Sequence, residues 1–212
     1  MKTVTIIDYG MSNLRSVSKA VEQVAEKNWQ VLVSDNAKVI LRADKVIFPG
    51  QGAIGNCMTL LNQTGIADVI RQTLENKPFL GICLGLQTLL TTSEENGGVA
   101  GFDWATGTVR RFVNPLIDSD TGEHLKIPHM GWNQVHNNHH PLWTGIPENS
   151  RFYFVHSFYV DPKDSGIIAG TTSYGGIDFT SAIAQNNVFA VQFHPEKSQH
   201  VGLTLLKNFL DW

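Results

Sequence analysis

The stretch Pro78-Phe79-Leu80-Gly81-Ile82-Cys83-Leu84-Gly85-Leu86-Gln87 decides how the rest of the chain is read. An apolar run suited to a buried strand passes through Gly-x-Cys-x-Gly into Leu86, Leu89 and Leu90, whose spacing predicts a helix. A cysteine at that junction occupies a nucleophile elbow with sulfur in place of oxygen. Glycines two residues to either side permit a tight turn and close backbone approach, leaving the central side chain exposed above a sheet. The free N–H groups at a helix start also favour thiolate over thiol. A small buried hydrophobe is the commoner role of a free cysteine, and it suits Cys57, which lies in Gly55-Asn56-Cys57-Met58 without such flanks.

Outward from the elbow, Val4 to Ile7 reads as a strand. Leu14, Val17, Val21 and Val24 then recur at helical spacing, with Ser12 or Asn13 as the cap. Strands over 29–33 and 46–48, helical stretches including Ile66, Val69, Ile70 and Leu74, and the strand 79–82 complete an alternation that predicts a parallel sheet covered by helices. From about Thr106 the pattern changes to short β-branched and aromatic runs (108–113, 151–155, 167–171, 188–192) broken by Gly, Pro and Asn, which suggest added antiparallel strands. Val201, Leu205, Leu206, Phe209 and Leu210 form a closing amphipathic helix. The expected fold class is therefore α/β: one domain over 1–212, with a central, mostly parallel sheet flanked by helices and extended by antiparallel strands.

A chain of 212 residues with 42% hydrophobic content fills one core and is short for two ordinary domains. Its net charge of -3 gives no electrostatic reason to expect nucleic acid or an anionic membrane as partner. Asp8 interrupts the first apolar stretch and no later one is long enough to span a bilayer, so a soluble cytoplasmic protein is expected. The two cysteines lie in unlike contexts and suggest neither a disulfide framework nor a metal site.

A thiol needs a base to become the nucleophile. Val188-Phe189-Ala190-Val191-Gln192-Phe193-His194-Pro195-Glu196 reads as a buried strand ending in His-Pro-Glu, with His194 and Glu196 on one side by alternation. Glu196 then fixes the imidazole tautomer while the other ring nitrogen serves the thiol as general base and later as general acid. His136, His139 and His140 lack a carboxylate or cysteine at ligand spacing and read as a solvated turn, so no metal and no cofactor are expected.

Phe48-Pro49-Gly50-Gln51-Gly52-Ala53-Ile54-Gly55 formally contains Gly-x-Gly-x-x-Gly. A dinucleotide fingerprint would place an acidic residue at the end of the next strand, whereas Asp68 lies in a helical stretch and the next strand ends at Cys83. The turn is better used as a source of backbone donors for a developing oxyanion. One donor is expected from Gln51 or Gly52 and the other from Leu84.

Taken together, the Gly-Ile-Cys-Leu-Gly-Leu-Gln elbow, the Pro-Gly-Gln-Gly turn and Gln-Phe-His-Pro-Glu resemble the triad, or class I, glutamine amidotransferases and occur in that family's order. Further segments are similar to the branch of glutaminase subunits of imidazole glycerol phosphate synthase: 7–14 (Ile-Asp-Tyr-Gly-Met-Ser-Asn-Leu), 127–133 (Ile-Pro-His-Met-Gly-Trp-Asn), 153–157 (Tyr-Phe-Val-His-Ser) and 206–210 (Leu-Lys-Asn-Phe-Leu). The resemblance implies a flavodoxin-like fold, glutamine as substrate, Cys83 as nucleophile, His194 as acid/base and Glu196 as its orienter. It also implies Gln87, Glu95 and Ser157 as substrate contacts.

Because the resemblance spans the chain, the acceptor chemistry is expected on a partner, a (β/α)8-barrel cyclase subunit that receives ammonia in histidine biosynthesis. His129 and Trp132 are the candidates for facing it; a core hairpin is the other reading of that segment. Ser12, Gln51 and Phe158 depart from the family's usual glycine, small apolar residue and tyrosine. A paralogue serving a related barrel in surface-sugar amidination and a catalytically silent regulatory subunit are the competing readings.

Overall fold

The computed structural model describes residues 1–11, 13–113, 115–118 and 121–212. Its first half alternates β1 (Lys2–Ile7), α1 (Leu14–Val24), β2 (Trp29–Ser34), α2 (Ala37–Arg42), β3 (Lys45–Gly50), α3 (Ile54–Thr64), α4 (Ile66–Asn76), β4 (Phe79–Cys83) and α5 (Leu84–Gln87). Short strands follow: β5 (Leu90–Ser93), β6 (Val99–Ala100), β7 (Ala105–Arg111), β8 (Leu116–Ile117) and β9 (His124–Leu125). The second half holds β10 (His129–Asn137), β11 (Ser150–His156), β12 (Phe158–Pro162), β13 (Ile168–Tyr174), β14 (Ile177–Gln185), β15 (Val188–Val191) and the closing α6 (Gln199–Asp211).

Among the described residues thirteen strands join in one sheet along the path β2-β1-β3-β4-β15-β14-β12-β7-β5-β6, with β13, β10 and β11 attached beside β14. The half from β2 to β15 is parallel throughout. Beyond β15 the ladders are antiparallel except for β5 with β7. The antiparallel extension is thus larger than the sequence suggests, and the last strand in the chain, β15, lies in the parallel half beside β4.

Parallel strands are covered on both faces, so their side chains divide between two cores. Ile47, Leu80, Ile82, Phe189 and Val191 point to the face covered by α1 and α6. Val46, Phe48, Phe79, Val188 and Ala190 point to the face that also holds Ile40, Ile54, Leu61, Ile66 and Ile70 of α2, α3 and α4. Lys45 is buried with its Nζ donating 2.8 Å to the Phe209 carbonyl, which satisfies one of the terminal acceptors of α6. No helix among the described residues is long and apolar enough to cross a membrane.

Three local expectations are corrected. The helix after Cys83 is one turn long: Phe102 N–H donates to Thr88 O at 2.7 Å, Trp104 N–H donates to Leu89 O at 2.9 Å, and the chain re-enters the sheet at Leu90. Leu86, Leu89 and Leu90 are all fully buried, so their spacing marks a turn enclosed on every side rather than one face of a long helix. β15 stops at Val191, and the His-Pro-Glu segment forms a 3-10 turn, Pro195–Lys197. Asn13 stands before α1 but spends its side-chain amide on Ser16 Oγ (2.9 Å) instead of capping the helix; Ser12 lies outside the described residues.

The turn at 194–197 is held from below by α6. A Cβ on Gly202 would fall 1.9 Å from the Pro195 carbonyl oxygen, so only glycine lets the helix approach this closely. Gly202→Ala is expected to cost about 1–3 kcal/mol as overpacking, read as a lower midpoint in thermal denaturation. An unchanged midpoint would refute that contact.

Candidate active site

In a parallel sheet the loops that follow the strands collect at one edge, where α/β proteins bind ligands. Here the ends of β3 and β4 are paired directly, Gly50 opposite Cys83, and Val191 of β15 is paired with Ile82. The turn after β3, the elbow after β4 and the His194 segment after β15 therefore converge. They border a cavity of about 530 Å³ lined by residues that include Gln51, Gly52, Cys83, Leu84, Gln87, His156, His194 and Lys197.

Cys83 has φ 56° and ψ -107°, a conformation that costs a non-glycine residue on the order of 1–3 kcal/mol. The elbow glycines serve close packing. A Cβ at Gly85 would lie 2.1 Å from the Phe48 carbonyl oxygen, and one at Gly81 would lie 3.0 Å from Ala190 Cβ and 3.1 Å from the Gly85 backbone. A Cβ at Gly50 would strike Leu84 Cβ at 2.7 Å. With only one helical turn after Cys83, the helix dipole expected to favour a thiolate is small. A side-chain donor stands there instead: Gln192, fully buried, places Nε2 3.6 Å from Cys83 Sγ. Gln192 Oε1 in turn accepts from Gln87 Nε2 at 3.1 Å, and Gln87 Nε2 also donates to the Phe158 carbonyl at 3.0 Å.

His194 and Glu196 are buried, with Nδ1 2.8 Å from Oε1. The 3-10 turn brings the two residues together, where strand alternation was the expected means. Burial is the strongest influence on the imidazole and lowers its pKa, but the charge and hydrogen bonding of Cys83 and then Glu196 outweigh it and raise it to about 10. His194 therefore holds a proton at neutral pH. Ser198 Oγ fixes the segment by donating to His194 O at 2.6 Å and accepting the Tyr153 amide at 3.0 Å.

Gln51, Gly52 and Leu84 all border the cavity, and Gly52 has φ 86°, which suits glycine. Gln87 lines it too. Glu95 does not: its Oε2 accepts the Ile54 amide at 2.8 Å and so steadies the first turn of α3, just after the glycine turn. Ser157 also stands off the lining, its carbonyl accepting the Phe112 amide, while its neighbour His156 forms part of the wall. Gln192 and His156 were both within motifs already singled out; burial sets His156 apart from its immediate neighbours, whereas Gln192 lies in a run buried throughout and stands out there only by its side-chain amide. On β11 every second residue points inward, which selects His156 in 153–157.

The two interface candidates part ways. Trp132 is 42% exposed and Met130 62%, whereas His129 is 3% exposed, stacked between Tyr174 (4.0 Å between centroids) and Phe154 (4.9 Å). β10 and β11 do form a hairpin pairing, so the segment is both a core hairpin and, on its even-numbered side, a surface. His129 belongs to the core because it falls on the inward phase of the strand. Among the described residues no three His, Cys, Asp or Glu side chains are grouped to hold a metal ion.

The family model "Glutamine amidotransferase class-I" matches residues 5–212. The chain is 56% identical over 212 residues to the imidazole glycerol phosphate synthase subunit HisH of Hydrogenovibrio crunogenus, covering 100% of this chain and 97% of that one. It is 52% identical to the subunit of the same name from Methylococcus capsulatus (100% and 97% covered) and 50% identical to that from Acinetobacter baylyi (100% and 99%). A crystal structure of a glutamine amidotransferase is similar with a TM-score of 0.71 at 15% identity, over 98% of this chain and 97% of the other; at that identity the likeness is one of fold.

Two neutral histidines, His156 in the cavity wall and His129 bonded to it from the interior, make stability depend on pH. Burial pushes His129 down to about 4 and, with the charge of His129 as a smaller influence, His156 down to about 3. The unfolded chain binds protons at these positions below about 6.5 and the folded chain does not, so their contribution is complete above that pH and is lost as pH falls toward 4. At pH 5 the loss is on the order of 2 kcal/mol per histidine. Urea midpoints measured between pH 7.5 and 5 are expected to fall accordingly; a flat profile would contradict neutral burial.

Proposed function

This chain belongs to the class-I glutamine amidotransferases, and from that premise we propose that its cavity hydrolyses glutamine through a thioester on Cys83 and delivers the ammonia to a synthase partner. The observation that carries the mechanism is the convergence of Cys83, the His194–Glu196 pair at 2.8 Å and the Gln51–Gly52 and Leu84 backbone on one cavity.

The Cys83 sulfur attacks the side-chain carboxamide carbon. The negative charge that forms on oxygen meets the backbone N–H groups of Leu84 and of Gln51 or Gly52, each donor of this kind lowering the barrier by about 2.7–4 kcal/mol. Collapse of the tetrahedral species breaks the C–N bond, and the proton held on His194 leaves with ammonia. Neutral His194 then takes a proton from water, whose oxygen attacks the thioester; the second collapse releases glutamate, its carboxyl proton passing to solvent, and restores the Cys83 thiolate beside protonated His194. Glu196 keeps the proton on Nδ1 so that Nε2 faces the reaction. Gln87 contacts the substrate from the wall, Glu95 acts on it through the start of α3, and Ser157 flanks the wall residue His156.

The full-length likeness to imidazole glycerol phosphate synthase subunits places the reaction in histidine biosynthesis and favours that role over surface-sugar amidination or a silent subunit. The partner on this reading is a (β/α)8-barrel cyclase in a cytoplasmic heterodimer. The exposed Met130 and Trp132 on the hairpin, 42% exposed in the case of Trp132, suit the docking face.

Cys83→Ala is expected to abolish glutamate release while the fold is retained in circular dichroism; a normally active variant would sink the assignment. Glu196→Gln keeps the shape of the turn but removes the charge that sustains the His194 proton, and kcat is expected to drop about a hundredfold or more. Stimulation of glutaminase by the barrel cyclase and its ribonucleotide substrate, measured against the subunit alone, tests the partner. No response to the cyclase would refute that part.

A further inference from the structure

A chain of hydrogen bonds crosses the interior from β10 to the cavity wall, and the positions of its carbonyl ends assign every proton in it. His156 Nδ1 lies 2.7 Å from the Phe158 carbonyl, which can only accept, so Nδ1 carries the hydrogen and Nε2 of the neutral ring is an acceptor. His129 Nδ1, 3.0 Å from that Nε2, is then the donor, and its own Nε2 is an acceptor. Asn133 completes the series: Nδ2 donates to the Ser173 carbonyl at 2.9 Å and approaches His129 Nε2 at 3.3 Å, while Oδ1 accepts the Gln134 amide at 2.8 Å. All ring nitrogens of both histidines are spent within the protein. The Phe158 carbonyl at the far end is the same acceptor that holds Gln87, whose amide leads through Gln192 to Cys83 Sγ.

We propose that His129 is a positioning residue of the glutaminase site: by donating from Nδ1 to His156 Nε2 it fixes the ring and tautomer of the wall residue His156, and through the shared Phe158 carbonyl it steadies Gln87 and Gln192 against the nucleophile. The inference rests on the glutaminase reading of the Cys83 cavity. Its physical basis is that His156 is buried with both ring nitrogens bonded inside the protein, Nδ1 to the Phe158 carbonyl and Nε2 to His129. Without the His129 donor the ring is left with a buried unpaired acceptor, and its routes out are to rotate away from Phe158 or to take up a second proton. A second proton would set a positive charge near His194, whose charge already opposes one on His156. Keeping His156 neutral and still therefore protects the proton that His194 delivers to ammonia.

The competing role for His129 is that of an aromatic filler between Tyr174 and Phe154, and the two roles predict different outcomes for His129→Phe, which keeps the stack and removes the donor. The full-length protein, alone and with its synthase partner, is assayed for glutamate release and for labelling of Cys83 by 6-diazo-5-oxo-L-norleucine, with binding and inactivation steps resolved. His129→Phe is expected to reduce kcat/KM and the labelling efficiency by about tenfold or more, the effect of stranding one buried acceptor, with the fold retained and the melting temperature lowered by only a few degrees.

His129→Asn, whose side-chain amide can donate in place of Nδ1, is expected to recover most of the loss. Nitrogen-15 spectra of the imidazoles are expected to show His156 as the Nδ1–H tautomer in the wild type and a mixed or rotated ring in His129→Phe. Equal kinetics and an unchanged His156 spectrum in His129→Phe would overturn the proposal. If that variant does not fold, His129→Asn takes its place, since it removes the aromatic stack and keeps a donor at the Nδ1 position: labelling and a His156 signal lost there as fully as in an inactive site would overturn it equally. Failure of the wild type itself to be labelled at Cys83 would instead remove the glutaminase reading beneath it.

Discussion

The closeness of two backbones, β3 and the elbow after β4, is the constraint on which the site depends. The Phe48 carbonyl occupies the space that any side chain at Gly85 would need, and Leu84 and Tyr9 occupy the space at Gly50. Pressed together in this way, the two strand ends leave Cys83 in a left-handed conformation with its sulfur directed into the cavity, and they bring the Gln51–Gly52 turn beside Leu84. The strain at Cys83 persists because the parallel ladders on both sides, β3 and β15, over-determine its position.

Electrostatics at the site follow from which histidines meet a carboxylate. His194, His156 and His129 are all buried, and burial alone would render each neutral. Of the three, only His194 has the charge of Cys83 and then Glu196 against it, and only His194 is driven to hold a proton. The other two face aromatic rings, carbonyls and each other, and remain uncharged. Among these three histidines, positive charge is thereby confined to the one imidazole that faces the sulfur.

Much of this was legible in the sequence, and the gaps have physical causes. Flanking glycines and a strand-like apolar run are local properties, so the elbow, the glycine turn and the His-Pro-Glu segment could be recognised without coordinates, as could the helices whose apolar faces repeat with period 3.6. The one-turn helix after Cys83 was hidden because its leucines are buried from all sides, and enclosure imitates periodicity. The parallel placement of β15 beside β4 was hidden because strands more than a hundred residues apart are paired by the whole sheet rather than by any local signal. Gln192 and His156 escaped for a related reason: their roles come from partners distant in sequence, Cys83 and His129.

The alternation along β10 has a further consequence. His129, Gly131 and Asn133 face inward, while Met130, Trp132 and Gln134 face solvent. Neighbouring residues therefore answer to different demands: the odd positions are tied to the interior network, and the even ones are free to change in step with whatever surface they meet. Docking specificity can drift over evolutionary time without disturbing the chemistry, so long as the strand keeps its count. A one-residue insertion ahead of His129 would exchange the two sets and cost both functions at once, whereas an insertion of two would spare the phase.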